Sequence, residues 1–485
     1  MVVLAAPPAV EAAFLKGAER VSARIASGTC VVVPENEHRR LFFASRAAVF
    51  KNWDKPGKCQ YPGCRNRSIA RSHTLQRGGP LTELRGQDGH VTTLEIDHRT
   101  ERLVAGRKGL DLASTFPGFC SKHEAIFDVF ESRATLTTTR DVVLQLYRSA
   151  CREAVRLEFD VRQHTRSREQ FEQLYDEKLR VLVHAEAAAL VDQHPILAAY
   201  QISAPSDKDD RFNRWRDEAR QDRDTIREMI VHLSQAMVAM DQGMMGAHFH
   251  RFILPQRLPI TLSGQSVLKM MLGPDTHRVV VLLVVVPEAG RTQVLIASPA
   301  EQGPLLDAYL KQSDLLRSGE EADPDALIAL IERFLLYGTD HWFMENKFWN
   351  DLPLETRARI IEEADRRDVG VNDVPPITVL PRPAAAVRVP LHRAATAREA
   401  LRERRRKRGW RESESLDERL ARRLIPARKR RQCQRFRDSC SSDVHVVDDG
   451  GAAHPRWVFV RAYRTGQWCT PWRRMKWAQI EPFSD

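Results

Sequence analysis

Between about residues 140 and 194 apolar side chains return every third or fourth position, the spacing that lays one face of a helix against a core. Val142, Val143, Leu146 and Ala150 mark a first stretch, and after a polar break Phe171, Leu174, Leu179, Leu182 and Val183 mark a second. Two long helices are expected here. A third is predicted over about 209–240, where Phe212, Trp215, Ala219, Ile226, Met229, Leu233 and Met237 recur at helical spacing. Together they describe a helical bundle or long helical hairpin, with the methionines read as core.

The period then changes. RLPITLS, HRVVVLLVVVP and RTQVLIAS are short and β-branched, and PEAGR joins the last two at hairpin length. A small sheet is predicted, and its central run is apolar on both faces, so helices must cover one or both sides. Helical patterns at 303–314, 323–337 and 354–366 supply them, the second opened by Asp323 as cap and Pro324 in the first turn. The fold class is α+β: an N-terminal treble-clef-like zinc module, a long helical middle, a small sheet with flanking helices and a basic arm. The expected divisions are 1–50 (N-terminal segment), 51–135 (zinc module), 136–245 (helical region), 246–372 (α+β domain) and 373–485 (Pro-rich linker and arm).

Composition adds bounds. A chain of 485 residues with 42% apolar content can bury several cores. The longest apolar run, 279–286, is far shorter than the ~20 residues a bilayer-spanning helix needs. No membrane association is expected. The first twenty residues, interrupted by two prolines and an early glutamate, make a poor signal peptide, and the eight cysteines are scattered rather than framed as a disulfide scaffold. A reducing cytoplasm is the expected location.

Charge changes the picture only once it is located. Residues 385–485 hold 25 Lys and Arg against 12 Asp and Glu, leaving 50 against 52 in the rest. The basicity belongs to the arm. Its arginine runs and Trp457, Trp468, Trp472 and Trp477 suit phosphate neutralisation and base stacking, while the same composition also describes a disordered extension.

The candidate chemistry is concentrated earlier. Cys59 and Cys64 in KCQYPGC, then Cys120 and His123 in FCSKH, offer three thiolates and one imidazole, the donor types and number that close a tetrahedral Zn²⁺ site. Pro62 and Gly63 bend the first pair, and Pro117 and Gly118 precede a helix start at the second. A knuckle followed by a helix-borne pair is treble-clef logic. The plainer alternative is four packed core residues.

RSHTLQRGG places His73 nine residues after Cys64. Here the chain resembles the HNH, or ββα-metal, nucleases over about residues 59–130. The resemblance implies His73 as a general base activating water against a phosphodiester, with a second divalent cation such as Mg²⁺ on the leaving oxygen. Ser72 stands where the family carries a metal-binding residue and Glu124 where it carries a histidine; Glu124, or Asp97 with His98, or Asp111, could offer oxygen or nitrogen to that cation. A structural His73, bonded to a backbone carbonyl, is the competing reading. CQYPGC, SHTLQ, GHV and FCSKHEAIF, with ENKFWNDLP later, are also similar to a bacterial family with this zinc-like N-terminal region, which implies shared architecture and no particular reaction.

HFHRF puts His248 and His250 on one side of an expected strand, two donors without a third. The segment from Asp340 gathers acids beside Trp342, Phe343, Phe348 and Trp349, read as a packed helix junction or a ligand cleft. Phosphate-loop, dinucleotide and G-x-S-x-G motifs are absent from the sequence. Three functions remain: a zinc-stabilised module recognising DNA, RNA or protein; a metal-dependent HNH-type endonuclease; and a ligand sensor in the α+β domain. The sequence assigns no oligomeric state.

Overall fold

The computed structural model describes residues 6–97, 99–100, 102–199, 211–239, 245–272, 274–316, 321–366, 371 and 377–389, and the strands at 444–448, 457–464, 467–468 and 473–476. The chain separates into two units, Met1–Ala397 and Arg398–Asp485. In the second unit Trp457–Arg464 pairs antiparallel with Val444–Asp448, Gln467–Trp468 and Arg473–Lys476. The rest of the arm, including its arginine runs, lies outside the described residues.

The first unit is built on one helix of 48 residues, Thr139–Glu186. This corrects the expectation of two helices. The polar stretch that looked like a break contains neither Gly nor Pro, and Arg156–Asp160, Arg162–Glu158 and Arg168–Glu172 pair one turn apart across it. Its start is fixed by a reciprocal capping box between Thr138 and Asp141. The first half packs Val142, Leu146 and Ala150 with Ile226, Met229 and Leu233 of the helix Arg211–Ala239, which places the methionines in the core. In the second half Phe171, Leu179 and Val183 meet Phe14 and Val21 of the helix Pro8–Ala26. A further helix, Glu35–Phe50, adds the Glu37–Lys178 ion pair at 2.6 Å.

The sheet is larger than expected. Its strands are β2 (His90–Asp97), β3 (Arg102–Gly109), β5 (His248–Leu254), β6 (Ile260–Leu272), β7 (Asp275–Glu288), β8 (Arg291–Ser298), β9 (Glu321–Ala322), β10 (Trp342–Met344) and β11 (Ala386–Val389), in the order β3-β2-β10-β6-β7-β8-β5-β11-β9. All the pairings are antiparallel. The three apolar runs are its centre. The short β9, β10 and β11 have too few residues to show a period, and the polar β2–β3 hairpin joins through β10, where Met344 pairs Thr92.

Alternation along β7 sorts the cores. Val280, Leu282, Val284 and Val286 face the long helix, whereas Val279, Val281, Leu283 and Val285 face the helices Gly303–Gln312 and Pro324–Arg333. Both faces are covered, as an apolar run on both sides requires. The hairpin at 279–297 is therefore filled by packing. In the Asp340 segment Trp342 and Trp349 are buried and Asn346 accepts from the Thr92 hydroxyl at 2.7 Å, tying the junction to β2. Among the described residues no helix is long and apolar enough to cross a membrane.

Candidate metal centre

Two stretches far apart in sequence supply the four donors. Around the first, the Cys59 amide donates to the Asn66 carbonyl and the Cys64 amide to the Tyr61 carbonyl, each at 3.0 Å. Gly63 closes this turn at φ +77°, a left-handed conformation that glycine adopts without a Cβ clash. The Gln60 amide then donates to Gly118 at 2.8 Å and the Ile69 amide to Phe119 at 2.7 Å, stitching the turn to the segment that carries the second pair. The Cys120 carbonyl accepts from the amides of His123 and Glu124, both at 2.9 Å. That single helical turn brings His123 back over its own cysteine.

The result is one cluster. Cys59 Sγ lies 3.5 Å and Cys120 Sγ 3.4 Å from His123 Nδ1, and Cys64 Sγ lies 4.0 Å from Cys120 Sγ. All four ligand atoms fall within 4.8 Å of one another. A tetrahedral ion about 2.3 Å from sulfur and about 2.1 Å from nitrogen holds its ligand pairs roughly 3.5–3.8 Å apart. The group could hold a metal ion.

Local electrostatics act differently on the donors. Burial pushes the Cys59 thiol up to about 11. Burial also opposes ionisation of Cys120, but bonds from the His123 amide and from neighbouring side chains outweigh it and bring that thiol below its ordinary value. Burial, helped by the charge of Lys122, lowers His123 and keeps the imidazole neutral, the form that binds metal. Tyr61 lies flat on the His123 ring, centroids 3.9 Å apart and planes 9° off parallel, and Asn66 Nδ2 reaches Cys120 Sγ at 3.9 Å. No family model, curated protein or solved structure matches this chain.

The other singled-out residues that the structure describes lie outside the cluster. His73 ends β1 (Ser72–His73), which pairs with β4 (Thr115–Phe116). Its Nδ1 meets the Ala113 carbonyl at 3.0 Å; the carbonyl only accepts, so Nδ1 carries the proton and Nε2 is the basic nitrogen. Burial, with the charge of Arg148, holds His73 below its ordinary value. Glu124 is ion-paired to Arg148, which also binds Glu131 and lies over the Phe127 ring. Asp111 pairs with Arg77 at 2.7 Å, Asp97 accepts from the Arg99 amide at 2.9 Å, and His98 lies outside the described residues.

Sequence reading overlooked the supporting residues. Tyr61 and Asn66 stand among and just after the paired cysteines, and only the closed geometry shows what they touch. Arg148 was hidden in a helical repeat.

Proposed function

We propose that Cys59, Cys64, Cys120 and His123 hold a structural Zn²⁺ in a treble-clef-like module that presents a basic surface to the phosphate backbone of DNA or RNA. The observation that carries this reading is the convergence of three sulfurs and one imidazole nitrogen from stretches about sixty residues apart. A closed set of four soft and borderline donors is structural chemistry, since no position is left for a substrate. Charge around the knuckle supports the partner. Residues 51–77 carry seven Lys and Arg and a single acid, Asp54. Lys58, Arg65, Arg71 and Lys122 are exposed, and among the described residues none has a carboxylate partner. Cations held on a fixed turn without local neutralisation suit phosphate.

Fluorescence anisotropy of the full chain with labelled duplex DNA and single-stranded RNA tests this. Joint Lys58→Glu, Arg65→Glu and Arg71→Glu replacement should weaken binding at least tenfold and flatten its salt dependence, which scales with the number of phosphates contacted. Binding unchanged by the three reversals would transfer the contact to the arm. No binding to either nucleic acid would move the module to protein recognition.

A second reading, an HNH-type endonuclease, draws on the fixed tautomer of His73, which leaves Nε2 available as a base. It predicts cleavage with Mg²⁺, Mn²⁺ or Ni²⁺ that His73→Ala abolishes while metal content and fold stay unchanged. Absence of cleavage with all three ions supplied would remove it.

A further inference from the structure

A second cluster lies on the opposite face of the central sheet. His248 and His250 are two residues apart on β5 and so point the same way, onto the face where Phe252 joins the core with the helix Gly303–Gln312. From that helix Asp307 meets both rings: its Oδ1 lies 2.7 Å from each Nε2, and the two Nε2 atoms are 3.2 Å apart. Three ligand atoms of three side chains converge on one point.

The structure assigns to His248, His250 and Asp307 an open binding site for a divalent transition ion of the zinc or iron(II) class. Two imidazoles and one carboxylate are borderline donors, which suit those ions better than Mg²⁺ or Ca²⁺, whose sites are built from oxygen. The spacing fits. An ion bound about 2.1 Å from each nitrogen holds two imidazoles roughly 3.0–3.4 Å apart.

The surroundings are shaped for this use. The His250 side chain is 2% exposed, and among the described residues its Nδ1 has no hydrogen-bond partner, so its polar contacts with them are made through Nε2 alone. A Cβ at residue 303 would lie 2.7 Å from His248 Cγ; glycine there leaves the ring its place against the helix. The other side is open. His248 and Asp307 are 34% and 37% exposed, which leaves coordination positions for water or a small anionic ligand. A three-ligand site with a solvent-facing side is of the catalytic rather than the structural kind.

Cobalt(II) titration of the chelator-stripped full chain tests the assignment. Asp307→Asn and His248→Gln, which keep volume and hydrogen-bonding capacity, should each bind about one Co²⁺ fewer per chain than wild type while keeping the thiolate-to-cobalt charge-transfer band. Cys120→Ser should lose that band and keep the weaker ligand-field absorption of nitrogen and oxygen coordination. Circular dichroism confirms that each variant is folded. Stoichiometry unchanged in both Asp307→Asn and His248→Gln, or ligand-field bands unaltered by them, overturns the site.

Discussion

The Tyr61 ring lies on the His123 imidazole at 3.9 Å between centroids, so a residue between the two early cysteines orients the one nitrogen donor of the later pair. Packing of this kind fixes a ligand before the ion arrives, and outer partners of metal ligands typically change affinity by about 10–100-fold. Tyr61→Ala should weaken Zn²⁺ binding within that range with all four donors present, and Tyr61→Phe should restore it. Competition against a chromophoric chelator reads both. Equal affinity in all three proteins would reduce the stack to surface packing.

Removing a donor should cost more. Cys59 and Cys120 are buried beside Phe116, Phe119 and Phe127, so an empty site leaves thiols desolvated in an apolar core. Cys120→Ser is expected to lose the ion and lower the midpoint of thermal unfolding, and chelation of wild type should lower it similarly because metal binding is coupled to folding. A midpoint indifferent to chelator would contradict a structural role.

Arg148 is 1% exposed and answers to two carboxylates, Glu124 and Glu131, while lying 4.5 Å over the Phe127 ring. Arg148→Met should destabilise the chain by about 3 kcal/mol in urea denaturation, because it leaves two half-buried acids without their cation. Arg148→Lys should recover only part of that, since an ammonium lacks the planar fork that bonds the two carboxylates from separate nitrogens. The triple replacement Arg148→Met, Glu124→Gln and Glu131→Gln should be closer to wild type than Arg148→Met alone.

Asp141 gives a pH dependence with a definite sign. Burial would raise its carboxyl, but the amides and hydroxyls of Thr137 and Thr138 outweigh that and hold it below the usual range. A lowered folded-state value contributes stability that is complete above the unfolded value of about 3.9 and disappears as pH falls through the folded one. Asp141→Asn should therefore cost about 2 kcal/mol at neutral pH, in the range of a lost cap with charged hydrogen bonds, and progressively less below about pH 4. Denaturation at several pH values checks it; a constant difference would mean that the cap does not depend on charge.

How much of this was legible in the chain depended on how local each signal is. Cys59, Cys64, Cys120 and His123 could be picked out because metal-binding residue types are rare and their paired spacing is short. Asp307 could not. It follows His250 by 57 residues, on a helix where one aspartate looks like any other, and only the packing of that helix on β5 brings them together. The β7 run announced burial on both faces through its composition, whereas β9 with two residues and β10 with three are too short to carry a period. The polar stretch near Arg162 misled for a physical reason. Loss of apolar spacing says that a helix has left one core, not that it has ended, and between Val161 and Phe171 this one passes from the sheet-facing core to that of the N-terminal helices.

At about 1.5 Å per residue the helix Thr139–Glu186 is roughly 70 Å long. It is a stiff shaft shared by two cores: Arg148 and Tyr147 grip the cysteine module near one end, and Phe171 to Val183 seat the N-terminal pair near the other. One rigid element thus joins the cysteine module to the N-terminal helices, and neither can be repacked without the shaft they share.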